Sequence, residues 1–86
     1  MMKENVIFRC KEDTLMKAIA MLIQISSGYR ASIYIAKGGR RANAKSLLGV
    51  LSLGISDGDQ LEISVDGDDG ESAIHELKGY MEPARP

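Results

Sequence analysis

Four segments of this chain alternate apolar and polar side chains with the period of a β-strand, and each keeps one polar face. A strand that is polar on one side cannot be buried on both. A sheet built from such strands is antiparallel and carries its covering layer on one face only. Gln60 to Asp66 is the cleanest case, with Leu61, Ile63 and Val65 on one side and Glu62 and Ser64 on the other. In Asn5 to Cys10, the residues Val6, Phe8 and Cys10 point one way and Asn5, Ile7 and Arg9 the other. Ala31 to Ala36 sends Ile33 and Ile35 inward and Ser32 and Tyr34 outward. Gly38-Gly39 is a hairpin turn signal, so Arg40 to Ala44 returns as a short edge strand.

The intervening segments read as helices. Lys11-Glu12-Asp13-Thr14 is polar and ends in two residues able to cap, so Asp13 or Thr14 is expected to start a helix. Leu15 to Ser27 contains no Pro or Gly, and Ile19, Leu22, Ile23 and Ser26 form its core-facing stripe. Gly28 is read as its left-handed terminator. Ser46 is placed to cap a short apolar segment, Leu47 to Leu53, that stops at Gly54. After the Asp57-Gly58-Asp59 turn, the fourth strand signal and the polar Gly67-Asp68-Asp69-Gly70 loop, a last helix runs from about Glu71 to Met81. Ala73, Ile74, Leu77 and Met81 share one of its faces, and Pro83 and Pro86 mark residues 81–86 as a frayed tail. The expected fold is α+β: one domain over residues 1–86, in the order β-α-β-β-α-β-α. Four antiparallel strands form an open-faced sandwich with three helices on one face.

Composition removes several classes of function. Lys+Arg 11 against Asp+Glu 12 gives a net charge of −1, with no chain-wide pull toward nucleic acid or anionic membrane. With no Trp, one Phe and three Tyr there is no platform for stacking bases. A lone Cys10 cannot form an internal disulfide, which points to a reducing, cytoplasmic setting. The longest apolar run, Ala18 to Ile23, is too short to span a bilayer. One Cys and one His cannot build a structural zinc site. The acids Asp66, Asp68 and Asp69 lack the further ligands of a calcium loop, and Gly38-Gly39-Arg40-Arg41 lacks the ending of a phosphate loop. His75, the only histidine, reads as a solvated helix residue and Cys10 as a buried, inert thiol. No metal, cofactor or enzyme activity is expected.

The segment Gly39-Arg40-Arg41-Ala42-Asn43-Ala44-Lys45-Ser46-Leu47-Leu48-Gly49-Val50-Leu51-Ser52-Leu53-Gly54 carries the most information. Its leucines Leu47, Leu48 and Leu51 recur on a helix too short to bury them all. A phosphate on Ser46 would sit at the positive end of the helix dipole, with Lys45 and the two arginines nearby. The alternative is that Ser46 is only a cap, in a constitutive adaptor or interaction domain.

This segment resembles, residue for residue, the seryl-phosphorylation signature of the histidine-containing phosphocarrier (HPr) family of the sugar phosphotransferase system. The resemblance runs from Val6 to about Leu77, through Leu22, Gln24, Ser27, Tyr29, Ala31, Gly39, Asn43, Gly58 and Gly67. The family's other signature, Gly-Ile-His-Ala-Arg-Pro at the start of the first helix, is replaced here by Asp13-Thr14-Leu15-Met16-Lys17-Ala18. Leu15 stands for the phosphoryl-accepting histidine and offers no nucleophile. Lys17 stands for the arginine, without its bidentate fork, and Ala18 for the proline. The pattern is that of the catabolite-repression type of the family, which lacks the histidine, keeps the serine, and retains the arginine and proline that are altered here. The resemblance implies no phosphocarrier activity and a regulatory protein phosphorylated at Ser46. The implied partners are a bifunctional HPr kinase/phosphorylase and a catabolite control protein, bound through Met16, Lys17, Ala20, Gln24, Leu47, Leu48 and Leu51.

Overall fold

The computed structural model describes residues 2–10 and 12–82. Four strands, β1 (Met2–Ile7), β2 (Ser32–Lys37), β3 (Arg40–Asn43) and β4 (Gln60–Asp66), form one sheet in the order β1-β4-β2-β3. Every neighbouring pair is antiparallel. Three α-helices, α1 (Leu15–Ser27), α2 (Leu47–Ser52) and α3 (Gly70–Met81), pack with the sheet's apolar side around one core. This is the expected open-faced sandwich, with β3 at an edge as its charged, short sequence implies.

The inward residues of the strands are the expected ones. Val6, Ile33, Ile35, Leu61, Ile63 and Val65 are buried against Leu22, Val50, Leu77 and Met81 from the helices. Ser64, on the polar face, is also buried, because the central strand β4 places it between Lys3 of β1 and Tyr34 of β2. On that face the Arg41 guanidinium lies 3.7 Å from the centre of the Tyr34 ring. The tight β2–β3 turn uses Gly38 and Gly39 at φ 55° and 82°, values that suit residues without a Cβ.

Apart from one-residue shifts at β2, β3 and α2, four element ends differ from the sequence reading, each for a local reason. The first strand runs over Met2–Ile7 rather than Asn5 to Cys10, because it pairs along the length of β4 from Met2↔Val65 to Ile7↔Gln60. Beyond Ile7 the backbone turns to other partners. Phe8 N–H donates to Asp59 O, Arg9 N–H to Met81 O, and Cys10 N–H to Asp57 Oδ1. Phe8 keeps its inward place and is fully buried, while Cys10 is only half-buried.

At the start of α1, neither Asp13 nor Thr14 caps the helix. Thr14 occupies the N-cap position with no side-chain capping bond, and a 3₁₀ turn over Glu12–Thr14 leads into Leu15. Gly28 is not left-handed: at φ −78°, ψ −7° it ends α1 through a tight bond from its N–H to Ile25 O. Of the tail expected over 81–86, the two described residues are held in place. Met81 is fully buried, and Glu82 Oε2 accepts the Ile7 N–H at 2.8 Å; residues 83–86 lie outside the described part.

Candidate functional site

The two sequence signatures fall at the starts of α1 and α2, helices that pack against each other. At the first, Leu15 is half-buried and packs on the core, and Ala18, one turn on, is buried. Leu15 lines a shallow cavity of about 320 Å³ with Cys10, Ser56 and Asp57. None of these groups is an activated nucleophile. Burial raises the Cys10 thiol pKa and the Asp57 carboxylate raises it further, so the thiol is held in its unreactive protonated form. His75 is exposed on α3 and lines a different groove, with Tyr29, Asp68, Glu71, Ser72 and Glu76. Among the described residues no three His, Cys, Asp or Glu side chains gather as metal ligands.

At the second, Ser46 is half-buried with an extended backbone, φ −108° and ψ 116°. That conformation lets its side chain fold back over the first turn of α2, and Oγ accepts the Gly49 N–H at 3.2 Å. The approach from β3 is fixed by Asn43. Its Oδ1 accepts the Lys45 N–H at 2.8 Å and its carbonyl accepts the Ser46 N–H at 3.0 Å. Asn43 had a readable signal, since an Asn two residues before the amide it binds is a local turn former.

Two of the three cations expected beside Ser46 are held elsewhere. Lys45 Nζ donates to Tyr29 O at 2.8 Å, and Arg41 stacks on Tyr34 across the sheet. For Lys45 the reason is a partner the sequence does not display: the α1–β2 connection brings the Tyr29 carbonyl to it.

Every residue expected on a docking surface is exposed. On α1 these are Met16, Lys17, Ala20 and Gln24, and on α2 Leu47, Leu48 and Leu51. The four large apolar ones stand out, with Met16 at 58%, Leu47 at 47%, Leu48 at 81% and Leu51 at 37% exposure. Gln24 lies about 12 Å along the helix from Met16, at 1.5 Å per residue. It borders a groove lined also by Met21, Ile25, Gly28, Tyr29 and Glu76.

One tether escaped the sequence reading. Asp69, expected only in a solvated loop, accepts the Arg30 N–H through Oδ2 and the Ala31 N–H through Oδ1, each at 2.8 Å. It fastens the α1–β2 connection to the start of α3. Nearby, Tyr29 Oη donates to Glu76 Oε1.

Comparison with known proteins agrees with this geometry. The family described as "PTS HPr component phosphorylation site" matches residues 2–83. The chain is 27% identical over 82 residues to the HPr-like protein Crh of Bacillus subtilis, covering 95% of this chain and 96% of that one. It is 30% identical over 82 residues to the phosphocarrier protein HPr of Xylella fastidiosa, covering 95% of this chain and 92% of that one. The crystal structure of a phosphocarrier protein HPr from Bacillus anthracis superposes with a TM-score of 0.89 at 31% identity, covering 94% of this chain and 96% of that one. No helix among the described residues is long and apolar enough to cross a membrane. A family match across nearly the whole chain, on the same sandwich fold, makes this protein a member of the HPr family of the phosphotransferase system, of the Crh-like type that lacks the acceptor histidine.

Proposed function

We propose that this protein is a cytoplasmic regulator without phosphocarrier activity, switched by phosphorylation at Ser46 and acting through protein partners in carbon catabolite regulation. The observation that carries the proposal is the exposure of four large apolar side chains, Met16 on α1 and Leu47, Leu48 and Leu51 on the helix that Ser46 caps. Large apolar side chains left in water on two packed helices are what a partner covers. The carrier reaction lacks its acceptor, because Leu15 holds the histidine's position and the Cys10 thiol beside it is held protonated.

In the proposed modification Ser46 Oγ bonds to the γ-phosphorus of ATP as the bond to the departing ADP oxygen breaks. The hydroxyl proton passes to a base of the kinase. The kinase is an HPr kinase/phosphorylase, and the phosphorylated face binds a catabolite control protein through Met16, Lys17, Ala20, Gln24, Leu47, Leu48 and Leu51. The protein itself catalyses nothing and needs no metal or cofactor.

The test is incubation with such a kinase and ATP, read on a phosphate-affinity gel. One shifted band is expected, absent in Ser46→Ala. A label on Ser26, Ser27 or Ser52 with Ser46 unmodified overturns the assignment. The bond from Gly49 N–H to Ser46 Oγ favours a second reading, in which Ser46 is only a cap in a constitutive adaptor. On that reading no band shifts, and partner binding is the same with and without kinase.

A further inference from the structure

Gly49 sits inside α2, a helix of six residues, although glycine is the poorest helix former apart from proline. It is not there for its backbone freedom, since the positive-φ glycines are Gly38, Gly39, Gly54, Gly58 and Gly67. The distinguishing feature is space. A Cβ at Gly49 would stand 3.3 Å from Ser46 Oγ, 3.4 Å from Ser46 Cβ and 3.4 Å from the buried Ala42 Cβ. Gly79, inside α3, is the contrasting case: a Cβ there meets nothing within 4 Å.

We propose that Gly49 is the residue that keeps Ser46 modifiable, its missing side chain leaving the room beside Oγ that a phosphoryl group takes up. This rests on the reading of Ser46 as a modification site. When the Oγ–P bond forms, ADP leaves and the proton goes to the kinase base, and a phosphorus carrying three oxygens replaces the hydrogen on an atom that already accepts the Gly49 N–H. A methyl at position 49 presses on that atom while Ala42 closes the other side. In the unmodified protein the neighbours need move only a few tenths of an ångström, and the better helix propensity of alanine offsets that. With the phosphate present, no such slack remains.

The experiment is a cycle of four proteins carrying serine or phosphoserine at position 46 and glycine or alanine at 49. The phosphoserine is installed during translation, so no kinase is needed. Gly49→Ala is expected to leave the Tm of the serine form within about 2 °C and to lower that of the phosphoserine form by about 4–8 °C. Gly79→Ala, the control, shifts both forms equally. Equal shifts from Gly49→Ala in the two forms overturn the proposal, as does an equally destabilised serine form, which would assign the glycine to packing on Ala42. In a parallel kinase assay, Gly49→Ala is expected to slow Ser46 labelling at least tenfold. Labelling of the variant at the wild-type rate also overturns the proposal. A wild-type chain that no kinase labels, with the coupling present in the cycle, overturns the modification reading alone.

Discussion

At the start of α2 the Ser46 backbone is extended at ψ 116°, and the hydroxyl reaches back to the Gly49 amide; at the start of α1 Thr14 lies at ψ 12°, and the helix begins with no side-chain capping bond. The difference comes from what precedes each helix. β3 ends at Asn43, whose side chain and carbonyl hold a turn that leaves Ser46 with an extended backbone, whereas α1 is entered through a 3₁₀ turn that leaves Thr14 near ψ 12°. A capping side chain folds onto the helix typically from an extended backbone. Asp69 repeats the lesson at the start of α3: at ψ 14° it makes no capping bond, and its carboxylate binds the Arg30 and Ala31 amides instead. Residue type nominates a cap, and the dihedral of that residue decides whether it works. The contrast is also chemical. Before α2 stands the Ser46 hydroxyl, the group proposed for modification, and at the family's acceptor position α1 has the alkyl side chain of Leu15.

Labelling breaks or sustains that contrast most directly, because each arm is all or none. Phosphoenolpyruvate with the first enzyme of the phosphotransferase system should place no acid-labile phosphate on this chain. Leu15→His alone should not restore the transfer, since Lys17 lacks the arginine fork and Ala18 replaces the proline. Acid-labile phosphate on the wild-type chain would erase the difference between the two helix starts. Next in size is Leu48→Asp, at the most exposed apolar side chain of α2. Binding of the phosphorylated form to its partner should weaken more than tenfold, about 1.4 kcal/mol. Stability should stay within about 0.5 kcal/mol, as for surface changes away from special features. Unchanged binding by isothermal titration would remove Leu48 from the docking surface.

Smaller again is the cap itself. Ser46→Ala leaves the Gly49 amide without its acceptor and should cost about 0.5–2 kcal/mol in urea unfolding. Ser46→Asp should remain folded near wild-type stability, because Asp caps as well as Ser. A silent Ser46→Ala would mean that α2, like α1, stands without a side-chain cap.

Most of the fold was readable because period-two alternation fixes which face of each strand is buried, and Leu61, Ile63 and Val65 leave no choice. The same holds for Ser46, whose neighbours in sequence both form the turn that precedes it, at Asn43, and donate the capping bond, from the Gly49 N–H. What stayed hidden depends on partners distant in sequence. The shift of β1 to Met2–Ile7 follows from its register on β4, some 60 positions away. Lys45 meets the Tyr29 carbonyl, and Asp69 the Arg30 and Ala31 amides, only once the α1–β2 connection is in place. The exposure of Met16, Ala20 and Gln24 was legible from their i, i+4, i+8 spacing, which sets them apart from the core stripe.

The smallest expected effect tests Asp69 through pH. Its carboxylate pKa is lowered, chiefly by the Arg30 amide and also by the Ala31 amide, with burial opposing. A pKa lower in the folded than in the unfolded chain gives stability that is fully present above the ordinary carboxylate value, near 3.9, and is lost as pH falls through the folded value. Asp69→Asn should therefore be less stable than the wild type at about pH 6, and the gap should narrow as pH falls below the ordinary carboxylate range. A residual acid slope should persist in the variant, because Asp59 is also lowered, by its contact with Lys37 and by the Ser56 amide. Amide exchange locates the loss. If Asp69 is a tether and not a cap, the Arg30 and Ala31 amides exchange faster in Asp69→Asn while the first-turn amides of α3 keep their rates. Faster exchange confined to the start of α3 would make Asp69 a cap after all, and the dihedral argument that separates it from Ser46 would fail.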